Sequence, residues 1–330
     1  MKLFQHTPVL LQEVIHALNL KSGDNVIDGT IGGGGHAEAI LQATTPNGKL
    51  LGIDLDPDAI QAAKRTLREY KDRFILEQGS FADIKLICEA NASYMQNICA
   101  ILLDLGVSSY QFENKERGFS FQATGPLDMR FWQSDDPKNL KENRALQTLS
   151  AERIINTWSE AMLAKIFKEY GEERYARLIS RAIINERKRI RIETTKQLAD
   201  IVKAVYMRKS RARQNWRIHP ATRTFQALRI AVNDELHTLE TALPQAVEIL
   251  KVGGRLAVIS FHSLEDRIVK HFFQKESKDC LCPSFFPACR CQHAARLKII
   301  TKKPITSSEN EQRANPRSRS AKLRVALKIK

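Results

Sequence analysis

A chain of 330 residues, 43% hydrophobic and 27% charged, can bury a full core and has the make-up of a folded protein, which excludes intrinsic disorder and collagen-like repeats. No run reaches the roughly 18 apolar residues of a membrane span, and Met1-Lys2-Leu3-Phe4-Gln5-His6 lacks the charged-then-apolar order of a signal peptide, so a cytoplasmic location away from membranes is expected. The net charge of +15 is segregated, with fourteen basic against three acidic residues between Arg174 and Arg217, eleven against two between Arg296 and Lys330, and −5 over the rest.

The first hundred residues alternate short apolar runs with helical periods, the pattern of a parallel sheet covered by helices. A first strand ends at Val26 and Ile27, and further strands are predicted over Lys49 to Asp54, Phe74 to Gln78 and Ile98 to Asp104. Helices are predicted over His36 to Ala43 and Pro57 to Tyr70, the second opened by Asp56 as N-cap with Pro57 at the first helical position. From about Gln111 to about Arg217 strand-like alternation disappears. Amphipathic helices take its place over Ala151 to Asn156, Ala161 to Tyr170, Arg174 to Ile184 and Thr195 to Val205. Leu250 to Arg255 reads as a helix end, a glycine turn and the start of a buried strand running from Leu256 to Phe261. Leu297 to Ile300 and Leu323 to Leu327 read as a closing antiparallel pair. The expectation is an α/β, Rossmann-like domain built from residues 1–110 and 217–330, interrupted by an all-helical insertion over 111–216 that recognises the substrate.

Asp28-Gly29-Thr30-Ile31-Gly32-Gly33-Gly34-Gly35-His36 joins a predicted strand to a predicted helix. Glycines there allow a tight turn and let backbone N–H groups approach a ligand. Read alone, Gly32-x-Gly34-x-x-Ala37 with Asp54 twenty residues after Gly34 also fits a dinucleotide fingerprint, so the loop does not separate NAD from S-adenosylmethionine. Three features favour the second. Asp28 would repel a pyrophosphate and attract a cationic amino-acid group. Gly79-Ser80-Phe81-Ala82-Asp83 offers an aromatic face and a carboxylate for an adenine, and Asp104-Leu105-Gly106-Val107-Ser108-Ser109 places a carboxylate and hydroxyls at the crevice where such sheets bind ligands.

The runs His6-Thr7-Pro8-Val9-Leu10-Leu11, Asp28-Gly29-Thr30-x-Gly32-x-Gly34-Gly35-His36, Asp104-Leu105-Gly106-Val107-Ser108-Ser109-x-Gln111, Arg117-Gly118-Phe119-Ser120-Phe121 and Gly125-Pro126-Leu127-Asp128-Met129-Arg130 resemble the bacterial ribosomal RNA small subunit methyltransferase H family. So do Tyr170-Gly171-Glu172-Glu173, Thr224-Phe225-Gln226-Ala227-Leu228-Arg229, Ser260-Phe261-His262-Ser263-Leu264-Glu265-Asp266-Arg267 and the run from Asn315 to Arg324. The resemblance covers nearly the whole chain. It implies an S-adenosylmethionine-dependent methyltransferase that modifies the exocyclic amine of one cytidine in the decoding region of 16S rRNA, within the small ribosomal subunit and with no obligate protein partner. Carried over position by position, the cofactor contacts fall on Gly34, Gly35, His36, Asp54, Phe81, Asp104 and Gln111. Tyr110 stands where proline is common, Ala37 where serine is usual, and Phe131-Trp132-Gln133 replaces the usual continuation. A non-catalytic ribosome-assembly protein and an NAD-linked enzyme are the competing classes.

For the chemistry, Asp104 is the candidate to accept a hydrogen bond from the amine, with Ser108 or Ser109 assisting; a pure cofactor contact is the competing role. A base out of its stack needs an aromatic face, which Phe119, Phe121 or Trp132 would offer unless they are core. His262 and Glu265 either touch substrate or cap a helix. Segregated positive charge suits a polyanion, because each neutralised phosphate releases counterions. Arg208 to Arg217 and Arg313 to Arg324 supply guanidinium forks for phosphate, while solvated helix faces and a basic tail are the plainer explanation. Cys88 and Cys99 read as reduced core residues. Cys280, Cys282, Cys289 and Cys291, with His293 nearby, resemble a metal clip, but C-x-C is tighter than the usual zinc spacing; an ordinary reduced loop is expected and no metal ligand is assigned.

Overall fold

The computed structural model describes residues 8–107, 114–121, 123–132, 149–209, 216, 218–283 and 289–330. The chain forms two compact units, one of Met1–Gly106 with Leu236–Lys330 and the other of Val107–Glu235.

The first unit contains α1 (Leu11–Leu18), β1 (Asn25–Asp28), α2 (Gly35–Ala43), β2 (Leu50–Asp54), α3 (Pro57–Thr66), β3 (Phe74–Gln78), α4 (Ile84–Ala90) and β4 (Ile98–Asp104). Asp56 caps α3 by accepting the Asp58 N–H at 3.0 Å, with Pro57 at its first turn. The second unit contributes α5 (Ala151–Thr157), α6 (Glu160–Glu169), α7 (Ala176–Arg187), α8 (Thr195–Lys209) and α9 (Thr222–Asn233). The first unit resumes with α10 (Glu235–Ile249, its first residue still in the helical unit), β5 (Leu250–Ser260), α11 (Ser263–Glu276), β6 (Leu297–Ile299), α12 (Glu309–Ala314) and β7 (Lys322–Lys328).

The strands form one sheet in the order β3-β2-β1-β4-β5-β7-β6. The first five are parallel, and β7 runs antiparallel between β5 and β6. This is the doubly wound, Rossmann-like arrangement with the antiparallel closing pair that the sequence predicts. Side chains alternate across the pleat: Ile27, Leu51, Ile101, Leu103 and Val258 pack under α4, α10 and α11, whereas Val26, Leu50, Ala100, Leu102 and Ile259 pack under α1, α2 and α3. The expected glycine turn before Leu256 is instead part of β5. That strand starts at Leu250 and carries a bulge, so that Leu250 pairs with Ile98 but Arg255 with Ala100. Cys88 is buried as expected, while Cys99 is only half-buried.

Two of the C-terminal basic residues have structural work. Arg324, buried on β7, reaches Asp266 of α11 at 2.6 Å, and Lys322 reaches the same carboxylate at 3.1 Å. The expectation that Arg313 to Arg324 all offer forks to phosphate is therefore corrected at these positions, because an acid distant in sequence already claims them.

The helical unit runs to Glu235 rather than to the expected 216, because Phe225, Ala227 and Leu228 of α9 pack into the same core as Phe167, Ile179 and Leu198. Its recognisable motifs brace that core. Glu173 is buried and accepts the Tyr206 hydroxyl at 2.8 Å, Gln226 donates to the Tyr170 carbonyl at 2.9 Å, and Arg229 grips Glu235 with two bonds of 2.7 Å. Phe119 is buried and stacks on Phe131 at 5.7 Å, and Phe121 stacks on His219 at 4.5 Å. Both are packing residues of this core, as the plainer of the two sequence readings has it.

Candidate active site

Open α/β sheets bind ligands beyond the carboxyl ends of their strands, where the strand order reverses, and here that point lies between β1 and β4. Asp28 ends β1, Asp54 ends β2 and Asp104 ends β4, so the sheet gathers three carboxylates along one edge. Thr30 links the Asp28 carboxylate to the backbone of Asp104. Its N–H donates to Asp28 Oδ1 at 3.1 Å, and its hydroxyl oxygen accepts the Asp104 N–H at 2.6 Å. Thr30 stands inside the glycine motif, yet no spacing rule singles it out. Asp54 braces the loop itself, accepting the N–H of Gly32 and of Asp56, each at 2.9 Å.

The glycines divide by role. Gly34 has φ +85°, a Cβ there would press on Ala63 Cα at 3.2 Å, and its N–H already donates to the Ile31 carbonyl at 2.9 Å. A Cβ on Gly35 would strike the Pro8 ring. Both are glycine so that α2 can pack closely. The open side of the loop is Gly33, where a Cβ would meet nothing within 4 Å, and sequence reasoning did not separate it from its neighbours.

His36 is buried on α2, and its Nε2–H donates to the Val9 carbonyl at 3.0 Å. With that nitrogen a donor, Nδ1 faces Asp104 Oδ2 at 3.6 Å, and a proton on either group makes the contact attractive. The other oxygen, Asp104 Oδ1, is buried with no hydrogen-bond partner among the described residues. Phe81, half-buried in the single turn Phe81–Asp83, sits beside the exit of β1: its Cβ is 3.4 Å from where a Cβ on Gly29 would stand. Gln111, Ser108 and Ser109 lie outside the described residues. His262 caps α11 in a capping box, its Nδ1 accepting the Glu265 N–H at 3.4 Å while Glu265 accepts the Phe261 N–H at 2.8 Å and the His262 N–H at 3.2 Å. The capping role holds for both.

A family model described as the MraW methylase family matches residues 3–329 of this chain. The chain belongs to the MraW methylase family. Among its relatives is a protein of Heliobacterium modesticaldum, 47% identical over 99% of each chain, and one of Carboxydothermus hydrogenoformans, 47% identical over 99% of this chain and 98% of its own. Both carry the name Ribosomal RNA small subunit methyltransferase H. This MraW methylase is accordingly an S-adenosylmethionine-dependent methyltransferase.

The electrostatics of the strand ends fit that cofactor. Burial pushes the Asp28 carboxyl up to about 7, with the Asp54 charge adding to it. Burial likewise lifts Asp54 to about 6, and it holds Asp104 well above the usual carboxylate range, reinforced by Asp28 and Glu265. Acids that crowd one another in a dry cleft favour a cationic sulfonium and ammonium over a pyrophosphate.

The sign of the pH effect follows from these shifts. Between about pH 4 and pH 7 the folded MraW methylase keeps a proton on Asp28 that the unfolded chain has released, so this group's contribution to stability is lost as pH rises through that window. Ionisation of the folded protein's Asp28 as pH rises through about 7 strengthens attraction for a cation. Asp28→Asn keeps an oxygen for the Thr30 N–H. It is expected to melt higher relative to the parent at pH 8 than at pH 5, and to bind S-adenosylmethionine several-fold more weakly at pH 8. Parallel melting curves across pH would show that Asp28 does not carry the buried proton.

Proposed function

We propose that this methyltransferase transfers a methyl group to the exocyclic amine of one cytidine in the decoding region of 16S rRNA, acting on the small ribosomal subunit in the cytoplasm. The motifs that resemble the small subunit methyltransferase H family and the names of its relatives support the substrate. No helix among the described residues is long and apolar enough to cross a membrane. The observation that carries the chemistry is the half-buried carboxylate of Asp104, which has one oxygen beside His36 and the other without a partner among the described residues.

S-adenosylmethionine supplies an electrophilic methyl group on a positively charged sulfur. The cytosine amine is a poor nucleophile because its lone pair is delocalised into the ring, and holding it in line contributes on the order of 7–11 kcal/mol. In this reading Asp104 Oδ1 accepts a hydrogen bond from the amine and takes that proton as the nitrogen–methyl bond forms and the sulfur–methyl bond breaks, leaving a neutral thioether. An acceptor role needs the ionised carboxylate, and a neighbouring cation favours that form over the protonated one. Asp28, Asp54, Phe81 and Gln111 complete the cofactor contacts, with Gly34, Gly35 and His36 shaping the loop.

The helical unit is proposed to recognise RNA. Lys188, Arg189, Lys196, Lys203, Arg208 and Lys209 of its basic stretch are exposed, whereas Arg187 donates to the carbonyls of Ile155 and Trp158, both at 2.7 Å, and is structural. Replacing Arg189, Lys196, Lys203 and Lys209 with glutamine is expected to weaken RNA binding and to flatten the salt dependence by about 0.7–0.9 in log–log slope per lost phosphate contact. S-adenosylmethionine binding should not change. An unaltered slope would assign these residues to another purpose.

The decisive experiment is mass mapping of small-subunit rRNA from cells with and without this protein, followed by methylation of the deficient subunits by the purified enzyme. One cytidine should lose and then regain a methyl on its exocyclic nitrogen. A methyl on another base, or uptake of NAD in place of S-adenosylmethionine, would overturn the reading.

A further inference from the structure

We propose that Cys280, Cys282, Cys289 and Cys291 form a binding site for a single zinc ion, which fastens the crossover between α11 and β6. Among the described residues from Lys278 to Ala294 none is buried and none belongs to a helix or strand. The ends of this segment are anchored: Arg296 N–H donates to the Glu276 carbonyl at 2.9 Å, Ala295 N–H to Asp279 Oδ1 at 3.2 Å, and His293 Nε2–H to the Lys275 carbonyl at 3.1 Å. Between those anchors the four sulfur atoms all converge to within 4.8 Å of one another.

The sulfur separations are close to those of a tetrahedral thiolate site. Bonds of about 2.3 Å from zinc to sulfur place the sulfurs about 3.8 Å apart at the corners of a tetrahedron. Here Cys280 and Cys289 lie 3.3 Å apart, Cys289 and Cys291 3.6 Å, and Cys291 and Cys280 3.8 Å, with no pair bonded. That spacing leaves room for one ion and not for a multi-iron cluster, and a four-sulfur tetrahedral set suits zinc.

Backbone amides supply a second set of contacts. Leu281 N–H donates to Cys291 at 3.3 Å, Cys282 N–H to Cys280 at 3.4 Å, and Arg290 N–H to Cys282 at 3.3 Å. Amides aimed at sulfur favour the thiolate and orient it, as the outer shell of a metal site does. Cysteine that serves packing is ordinarily buried, whereas three of these four are exposed and the fourth half-buried. The tight C-x-C spacing, which argued against zinc in the sequence, is accommodated because the pair Cys280 and Cys282 meets the pair Cys289 and Cys291, with all four sulfurs within 4.8 Å of one another. His293 is held by a carbonyl and is not among the ligands.

The test uses the full-length protein purified under reductant. It should carry one equivalent of zinc that survives dialysis against a chelator and is released when a mercurial titrates the thiols. Cobalt(II) exchanged into the site should give thiolate charge-transfer absorption and the intense visible bands of a tetrahedral centre. The double variant Cys280→Ser, Cys291→Ser should lose that equivalent, whereas Cys88→Ser, Cys99→Ser should keep it. S-adenosylmethionine binding by the first variant checks that its sheet domain remains folded. Failure of the reduced parent protein to retain zinc after loading with excess zinc would overturn the proposal. So would iron in its place, or four cysteines paired as disulfides.

Discussion

Asp104→Asn is expected to lower the rate of methyl transfer by about a hundredfold or more, the usual range for removing a positioned proton acceptor, while S-adenosylmethionine affinity changes by less than about tenfold. Asparagine preserves the shape of the side chain and the backbone bond to Thr30. Its amide can still donate toward His36 Nδ1, which lies 3.6 Å from the present Oδ2. What it loses is the negative charge, so the deficit reads the charge rather than the packing. Single-turnover rates set beside calorimetric cofactor binding separate the two effects. Full turnover with intact binding would remove Asp104 from the chemistry. A collapse of binding with an unchanged rate at saturation would make it a cofactor contact.

Gly118→Ala should have the largest effect on stability, a loss on the order of 3–5 kcal/mol in the helical unit. Gly118 has φ +72°, which L side chains seldom adopt. An added Cβ would overlap the Pro126 carbonyl oxygen and stand 2.9 Å from the Asp128 N–H. The neighbourhood cannot retreat easily. Arg117 accepts the Met129 N–H at its carbonyl at 3.0 Å, Asn233 accepts the Phe131 N–H at 2.8 Å, and Leu127 N–H donates to the Glu193 carbonyl at 2.8 Å. The variant is expected to lose RNA methylation and show an early unfolding transition, yet still bind S-adenosylmethionine, whose expected contacts apart from Gln111 belong to the other unit. A melting profile identical to the parent's would mean that the loop rearranges freely.

The strands were legible because each carries apolar residues on both faces of a covered sheet, and Phe74–Gln78 and Ile98–Asp104 fall where their apolar runs place them. The three acids were legible for the same reason: they end those runs. What composition and period do not reveal are the contacts between distant segments. The extent of the helical unit depends on α9 packing against helices more than fifty residues earlier, and Asp266 of α11 claims Lys322 and Arg324 of β7. His36 was expected to touch cofactor on family resemblance, but only folding brings the Val9 carbonyl to its Nε2. The glycine run looks uniform in sequence, and only the positions of Ala63 and Pro8 show that Gly34 and Gly35 serve packing while Gly33 faces open space. Residue spacing likewise does not show that the sulfurs of Cys280, Cys282, Cys289 and Cys291 gather within 4.8 Å of one another.

The near-neutral titration of Asp28 also bears on how calorimetry of this enzyme is read. A carboxyl that gives up its proton as a cation arrives discharges acid into the medium. The observed heat then contains the heat of protonating whatever buffer is present. Titrations in Tris and in phosphate should disagree in enthalpy by the number of protons expelled multiplied by the difference between the two buffers' protonation enthalpies, so that dividing by that difference counts the protons.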